Sequence, residues 1–231
     1  MKLAIMQPYF FPYIGYFQLI KSVDKFVIYD NIQYTKKGWI NRNRYLQNGH
    51  DALFTIPLKN GSVSLNINER CIADSFNAKK LISRLSSSYS RSPQYKTVMP
   101  LVEKCILSDE RNLFDYIYFS IKSLCGYLDI STELQISSQI NIAHELKGQE
   151  KVIEICRKME ASEYINAFGG LKLYSKETFI NNGITLKFIK SKLIEYEQFN
   201  TTFVPWLSII DVMMFSSAKE IHLMLDKYEF I

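Results

Sequence analysis

The chain has 231 residues, 47% of them hydrophobic, enough to bury a full core without disulfides or metal. Its 28 basic and 23 acidic residues leave +5, too little to argue for nucleic acid and compatible with a local basic site for an anionic ligand. Cys71, Cys105, Cys125 and Cys156 stand far apart with no CxxC pair, and His50, His144 and His222 are scattered, so the cysteines read as reduced core thiols and no Cys/His metal site is expected.

The opening MKLAIMQPYFFP has no small-residue cleavage site, and no stretch reaches the run of about 20 apolar residues that spans a bilayer. A cytoplasmic protein without a membrane span is expected. Residues 2–6 read as a buried strand ended by Gln7-Pro8. Pro12 opens a helix with Ile14, Phe17, Leu19 and Ile20 on its apolar face. Residues 25–29 form a second strand, and strand–helix–strand within so few residues is a βαβ unit with parallel strands. In open parallel sheets ligands sit at the carboxyl ends of strands, where Gln7 and Asp30-Asn31 stand.

Residues 34–50, YTKKGWINRNRYLQNGH, read as a polar binding loop leading into strand 52–57. That strand and 62–67 flank Lys59-Asn60-Gly61, which predicts a hairpin there. From 76 to 128 the pattern is helical, with Ala78, Leu81, Ile82 and Leu85, then Val98, Leu101, Val102 and Cys105, then Phe114, Ile117, Ile121 and Leu124 at helical spacing. Pro93 and Pro100 divide this region, and SRLSSSYSRS at 83–92 reads as a helix end and mobile loop. Alternation returns with strand 132–137, helix 147–160, strand 163–167, a helix near 174–182 and strand 184–189. Closing helices are expected at 206–215 and 217–228. The fold class is α/β, one domain over 1–231 with a parallel or mixed central sheet. It comprises an N-terminal βαβ half (1–70), a helical subdomain inserted at about 76–128, and a C-terminal α/β half (132–231).

Ten of the 32 aromatic residues fall in 5–44, interleaved with amides, carboxylates and cations, which is the composition of a pocket with specific hydrogen bonds. Gln7 either faces the crevice or closes a turn. Tyr9, Phe10, Tyr13 and Tyr16 either stack on a base or sugar or pack in the core. Asp30 with Asn31 is the first acid candidate, with a helix N-cap as the ordinary alternative. Lys36, Lys37, Arg42 and Arg44 either clamp a pyrophosphate or form a solvated surface. Gly169-Gly170, between a strand and a helix, either presents backbone N–H groups to an anion or makes a turn. Ser208 and Asp211, at i and i+3, either cap their helix or face a site. His144 is the second candidate base, since an imidazole suits proton transfer near neutrality.

The motifs QPYFFPYIGYF (7–17), FVIYDNIQYTKKGWINRNR (26–44), GQEKVIEIC (148–156), YINAFGGLKLY (164–174) and YEQFNTTFVPWLSIIDVMMF (196–215) resemble the WbqC-like proteins over nearly the whole length. The resemblance implies a place in bacterial surface-polysaccharide (O-antigen) biosynthesis. It implies a transferase that acylates or aminoacylates, for example glycylates, the amine of a dTDP- or UDP-linked amino sugar. Ala167-Phe168 departs from the glycine-richer run expected at that loop. A weaker resemblance is to nucleotidylyltransferase-type folds, with Tyr13 and Tyr16 where that motif places two histidines.

In this scheme Asp30 is the base or orients the amine, and Gln7, Asn31 and Asn41 bond the acyl or sugar groups. Lys37, Arg42 and Arg44 hold the diphosphate, and Tyr13 and Trp39 stack. The donor is open between ATP with a free acid, an aminoacyl-tRNA and a carrier thioester. A second copy of the chain is carried as a further partner, and DNA is not. The alternatives are a nucleotidyl- or glycosyltransferase, for which no Asp-x-Asp is present, and a non-catalytic sugar-nucleotide-binding protein of the same pathway.

Overall fold

The computed structural model describes residues 1–199 and 202–231; Asn200 and Thr201, inside the 196–215 motif, lie outside the described residues. The central sheet has the order β5-β2-β1-β6-β7-β8. Its strands are β1 (Lys2–Met6), β2 (Lys25–Ile28), β5 (Glu133–Ile136), β6 (Glu163–Ala167), β7 (Thr185–Ser191) and β8 (Tyr228–Phe230). All pairings are parallel except β7 with β8, so the fold is α/β with a mixed sheet.

Side chains alternate across this sheet, as the two-residue period of a strand requires. Ala4, Phe26, Ile28, Ile165 and Ile189 face one core. There they meet α1 (Ile14–Lys21) and the inserted helices α2 (Ala78–Tyr89), α3 (Tyr95–Ile106) and α4 (Leu113–Tyr127). Leu3, Ile5, Val27, Tyr164, Leu186 and Phe188 face the other core, with α5 (Gly148–Lys158) and α6 (Lys176–Asn181). Covered on both faces, the strands are near-continuous apolar runs. From β1 the chain goes to β2 on one side and returns to β6 on the other, so strand order reverses between β1 and β6.

A separate hairpin, β3 (Arg42–Gln47) with β4 (His50–Thr55), replaces the expected polar loop. Its turn is Asn48-Gly49, with φ of 52° and 78°, the left-handed pair of a tight two-residue turn. The hairpin expected at Asn60-Gly61 is not formed: 62–67 contributes only an isolated bridge, Gln33 to Asn66, before a 3-10 turn at Ile67–Glu69. Gly61 has another reason, since a Cβ there would approach Leu65 to 2.9 Å and the Arg70 guanidinium to 3.2 Å. Pro12 lies just outside α1, which starts after Tyr13. Helix α2 ends inside the serine-rich patch, as expected, at a fully buried Tyr89. Pro100 sits inside α3 on its exposed side, where water can take the carbonyl it frees. The last segment is α7 (Ile209–Phe215), α8 (Ala218–Met224) and then strand β8, not a helix to 228. No helix among the described residues is long and apolar enough to cross a membrane.

Candidate functional site

The strand-order reversal opens a cleft of about 460 Å³. Such a crevice, at the carboxyl ends of the strands flanking the reversal, is where open α/β sheets take ligands. Met6 and Gln7 leave β1 into it; Asn166, Ala167, Gly169 and Gly170 leave β6 into it; Tyr9, Tyr13, Tyr29 and Tyr174 wall it. The Gln7 carbonyl accepts a bond from the Tyr16 hydroxyl (3.1 Å), while no hydrogen bond to the Gln7 amide is found among the described residues. The Asn166 Oδ1 accepts from the Ala167 N–H (2.9 Å).

Two glycines make room for these walls. A Cβ on Gly170 would stand 2.2 Å from Asn166 Nδ2, so only glycine lets that amide lie against the 168–170 turn. A Cβ on Gly15 would stand 2.3 Å from the Tyr13 ring, so only glycine lets the ring cross the start of α1. No carboxylate, imidazole or cation lines the cleft among the described residues. Burial pushes the Tyr29 hydroxyl up to about 12, which keeps it a neutral donor.

Tyr9 and Tyr13 also wall a second, aromatic compartment of about 190 Å³, with Pro12, Trp39, Asn43, Arg44 and Trp206. The Tyr13 and Trp206 rings meet edge to face at 6.0 Å. Arg44 lies 5.7 Å over the Trp39 ring and donates to the Trp206 carbonyl (3.0 Å) and to Asp51 (3.4 Å). Phe11 (φ 46°) and Trp206 (φ 60°) are left-handed, a conformation that costs a residue with a side chain about 1–2 kcal/mol. Both are held: the Phe11 carbonyl accepts from Asn43 Nδ2 (2.8 Å) and Ser208 Oγ (2.7 Å), and the Trp206 carbonyl from Arg44. Strain retained beside a cavity points to function.

The end of β2 is built differently. Asp30 is 1% exposed, and its carboxylate accepts from the Ser138 N–H (2.8 Å) and Asn68 Nδ2 (2.8 Å). It lines a separate depression with Asn112 and Asp115, not the cleft. Asn31 Oδ1 accepts from Ser137 Oγ (2.9 Å), which turns its Nδ2 toward His144 Nδ1 (2.9 Å). That bond leaves the imidazole proton on Nε2. The exposed His144 accepts at its carbonyl from Lys151 Nζ (3.1 Å), and Lys151 lies 5.3 Å over the Tyr29 ring. Burial pushes the Lys151 ammonium down, against Asp30 and Glu145.

A model of the WbqC-like protein family matches residues 7–223. The chain belongs to the WbqC-like family. It is also 29% identical over 221 residues to "Uncharacterized protein Rv1507c" of Mycobacterium tuberculosis, covering 94% of this chain and 95% of that one. No solved structure matches it.

Other residues singled out from the sequence of this WbqC-like chain hold the fold around the site. Asn41 is buried, accepting from Tyr34 (2.8 Å) and donating to the Ile56 carbonyl (2.7 Å). Arg42 donates to the carbonyls of Gly38 (2.9 Å) and Lys37, which stabilises the turn where Lys37 is left-handed (φ 64°) and exposed. Ser208 caps α7 and ties it to Phe11. Asp211 is fully buried and accepts from Tyr89 (2.8 Å), Tyr196 (2.7 Å) and Gln198 (2.6 Å). Burial pushes its carboxyl up to about 6, the three hydrogen bonds opposing. Sequence reasoning missed Asn166, Tyr29, Tyr174 and Trp206 in this WbqC-like site. The strand-end rule that selected Gln7, one residue past the end of β1, extends to Asn166, one residue before the end of β6.

Proposed function

We propose that the protein is a transferase that binds a nucleotide-linked amino sugar across the two compartments and acylates or aminoacylates its amine, in bacterial surface-polysaccharide (O-antigen) biosynthesis. The observation that carries this is a strand-reversal cleft that shares Tyr9 and Tyr13 with an adjoining aromatic compartment edged by Arg44. The base stacks among Tyr13, Trp39 and Trp206, where aromatic faces suit any base. Arg44 meets the diphosphate, for which a guanidinium offers a planar fork. Gln7 and Asn166 bond the sugar hydroxyls and the acyl oxygen. The attacking nitrogen forms its bond to the acyl carbon as the donor's leaving group departs, and the amine proton passes to a base. With both Asp30 oxygens engaged, the base role passes to His144, which stands outside the cleft lining and whose Nδ1 takes the proton on releasing the Asn31 amide. Asp30 then orients the 137–139 turn.

One observation favours a second reading. The absence of an acid or imidazole from the lining, among the described residues, suits a non-catalytic sugar-nucleotide-binding protein of the same pathway. Mass spectrometry of the purified protein with dTDP- and UDP-amino sugars, glycine and ATP, an aminoacyl-tRNA or an acyl thioester separates them. A sugar nucleotide heavier by one acyl or glycyl group supports the transferase. Binding without turnover from any donor supports the second reading, and absence of binding overturns both.

A further inference from the structure

Arg70 is a buried cation whose charge no carboxylate offsets among the described residues. It follows the 3-10 turn at Ile67–Glu69 and is only 7% exposed. Nη1 donates to the Ser62 carbonyl (3.1 Å) and Nη2 to the Lys59 carbonyl (3.5 Å), while its Cζ lies 5.0 Å over the Tyr34 ring. Nε is buried with no hydrogen-bond partner. No carboxylate pairs with Arg70 among the described residues; its neighbour Glu69 accepts from the Asn66 N–H instead (2.7 Å). A buried charge is costly unless paired and hydrogen-bonded, and two carbonyls do not supply the missing negative charge.

Beside the guanidinium is a cavity of about 290 Å³, lined by Gln33, Tyr34, Thr35, Lys36, Val63 and Arg70. It offers two cations and the Thr35 hydroxyl and no acid; the Gln33 amide already donates to the Val63 carbonyl (2.9 Å) and the Tyr34 hydroxyl to Asn41 (2.8 Å). Clamping the 59–62 loop accounts for Nη1 and Nη2, but it supplies no negative charge and does not account for the cavity beside them. We propose that this pocket binds the anionic group of a small molecule, a carboxylate or a phosphate, with Arg70 as the buried anchor and Lys36 as the rim cation. It is separate from the cleft, although Ile32 lines the cleft and its neighbour Gln33 lines this pocket.

The test is thermal unfolding and calorimetric titration of the full chain with inorganic phosphate and with acetate, against sodium chloride at matched ionic strength. A saturable rise in Tm is expected with at least one anion. A response to phosphate alone assigns a phosphoryl group, and one to acetate alone assigns a carboxylate. Lys36→Gln, at an exposed position, should keep the fold and weaken binding about tenfold, or 1.4 kcal/mol. Val63→Glu, at a rim position 67% exposed, places a carboxylate at the pocket. It should raise Tm without added anion and abolish the anion response. Gln7→Ala, in the cleft, should leave that response unchanged. No saturable effect of either anion on the wild type overturns the proposal, as does a response unaltered in both Lys36→Gln and Val63→Glu.

Discussion

The carboxyl ends of β2 and β5 and those of β1 and β6 belong to one sheet and carry similar polar residues, yet they are finished differently. At the first pair, Asp30 and Asn31 are bonded by Ser138, Asn68, Ser137 and His144. At the second, the Gln7 amide faces a cleft, and the Asn166 amide lies against Gly170 at its edge. Both places set polar side chains at strand ends, a carboxylate and an amide at one and two amides at the other; what differs most is whether protein or cavity supplies the partners. A buried polar group whose partners are all protein holds shape, and losing a partner there costs stability. A polar group facing a cavity at a strand-order reversal is available to a ligand.

Asp211 is the extreme of the satisfied kind, and its removal should have the largest effect. Asp211→Ala leaves Tyr89, Tyr196 and Gln198 without their common acceptor, so urea unfolding should show a loss of about 3 kcal/mol or more, a large part of ordinary domain stability. Its pH dependence has a defined sign. The folded carboxyl is raised from 3.8 to about 6, so the folded state binds the proton more tightly. The resulting stabilisation is full below 3.8 and lost as pH rises through about 6. Relative to the non-titrating Asp211→Asn, the wild type should therefore gain up to about 3 kcal/mol between neutral pH and about pH 4. A constant difference across that range would show that Asp211 does not titrate as its burial demands.

Asp30→Asn comes next. An amide has one acceptor oxygen where the carboxylate uses two, so the Ser138 N–H or the Asn68 amide loses its partner, at about 1–3 kcal/mol. Melting temperature should fall while affinity for a sugar nucleotide stays within about twofold of wild type. The opposite result, an intact fold with a rate lower by about a hundredfold, is what a positioned base would give and would break the comparison.

How much of this could be read in the sequence follows from where the apolar period was clean. KLAIM, KFVI and EYINA read as strands because they are covered on both faces. Strand β3 did not, because its buried positions include Asn43 as well as Tyr45, and an amide in the core breaks the alternation. Asn43 is there for Phe10 and Phe11, whose carbonyls it bonds, and no local pattern announces a partner some thirty residues away. The chain holds three Asn-Gly pairs, at 48–49, 60–61 and 182–183, and the dipeptide alone does not say which has strands that can pair. The polar residues of 5–44 were visible as a group, but their division between scaffold and cleft depends on contacts with 137–144, 166–174 and Trp206.

Gly15→Ala sharpens the comparison from the cleft side. In an exposed helix interior the change would stabilise by about 1 kcal/mol. Here the new Cβ meets the Tyr13 ring at 2.3 Å, and the ring must leave the wall shared by both compartments. Unfolding free energy should change by no more than about 1 kcal/mol, while calorimetry should show affinity for a sugar nucleotide falling about tenfold. Undiminished affinity would mean that Tyr13 is not part of the binding surface.

Gln7→Ala should have the smallest effect on the fold. The backbone carbonyl of Gln7, which the substitution keeps, already holds Tyr16, and the side chain is half-buried in the cleft without a protein partner among the described residues. Truncation therefore strands no buried donor or acceptor, and stability should stay within about 0.5 kcal/mol of wild type. Binding is another matter. One hydrogen bond to a neutral ligand group is worth about 1 kcal/mol, so the dissociation constant for a sugar nucleotide should rise about fivefold. Asn166→Ala should lose as much affinity and, unlike Gln7→Ala, some stability, because its Oδ1 also accepts the Ala167 N–H. If Gln7→Ala lowers the melting temperature as Asp30→Asn does, the β1 end is scaffold too, and the strand-reversal cleft loses its best-placed amide.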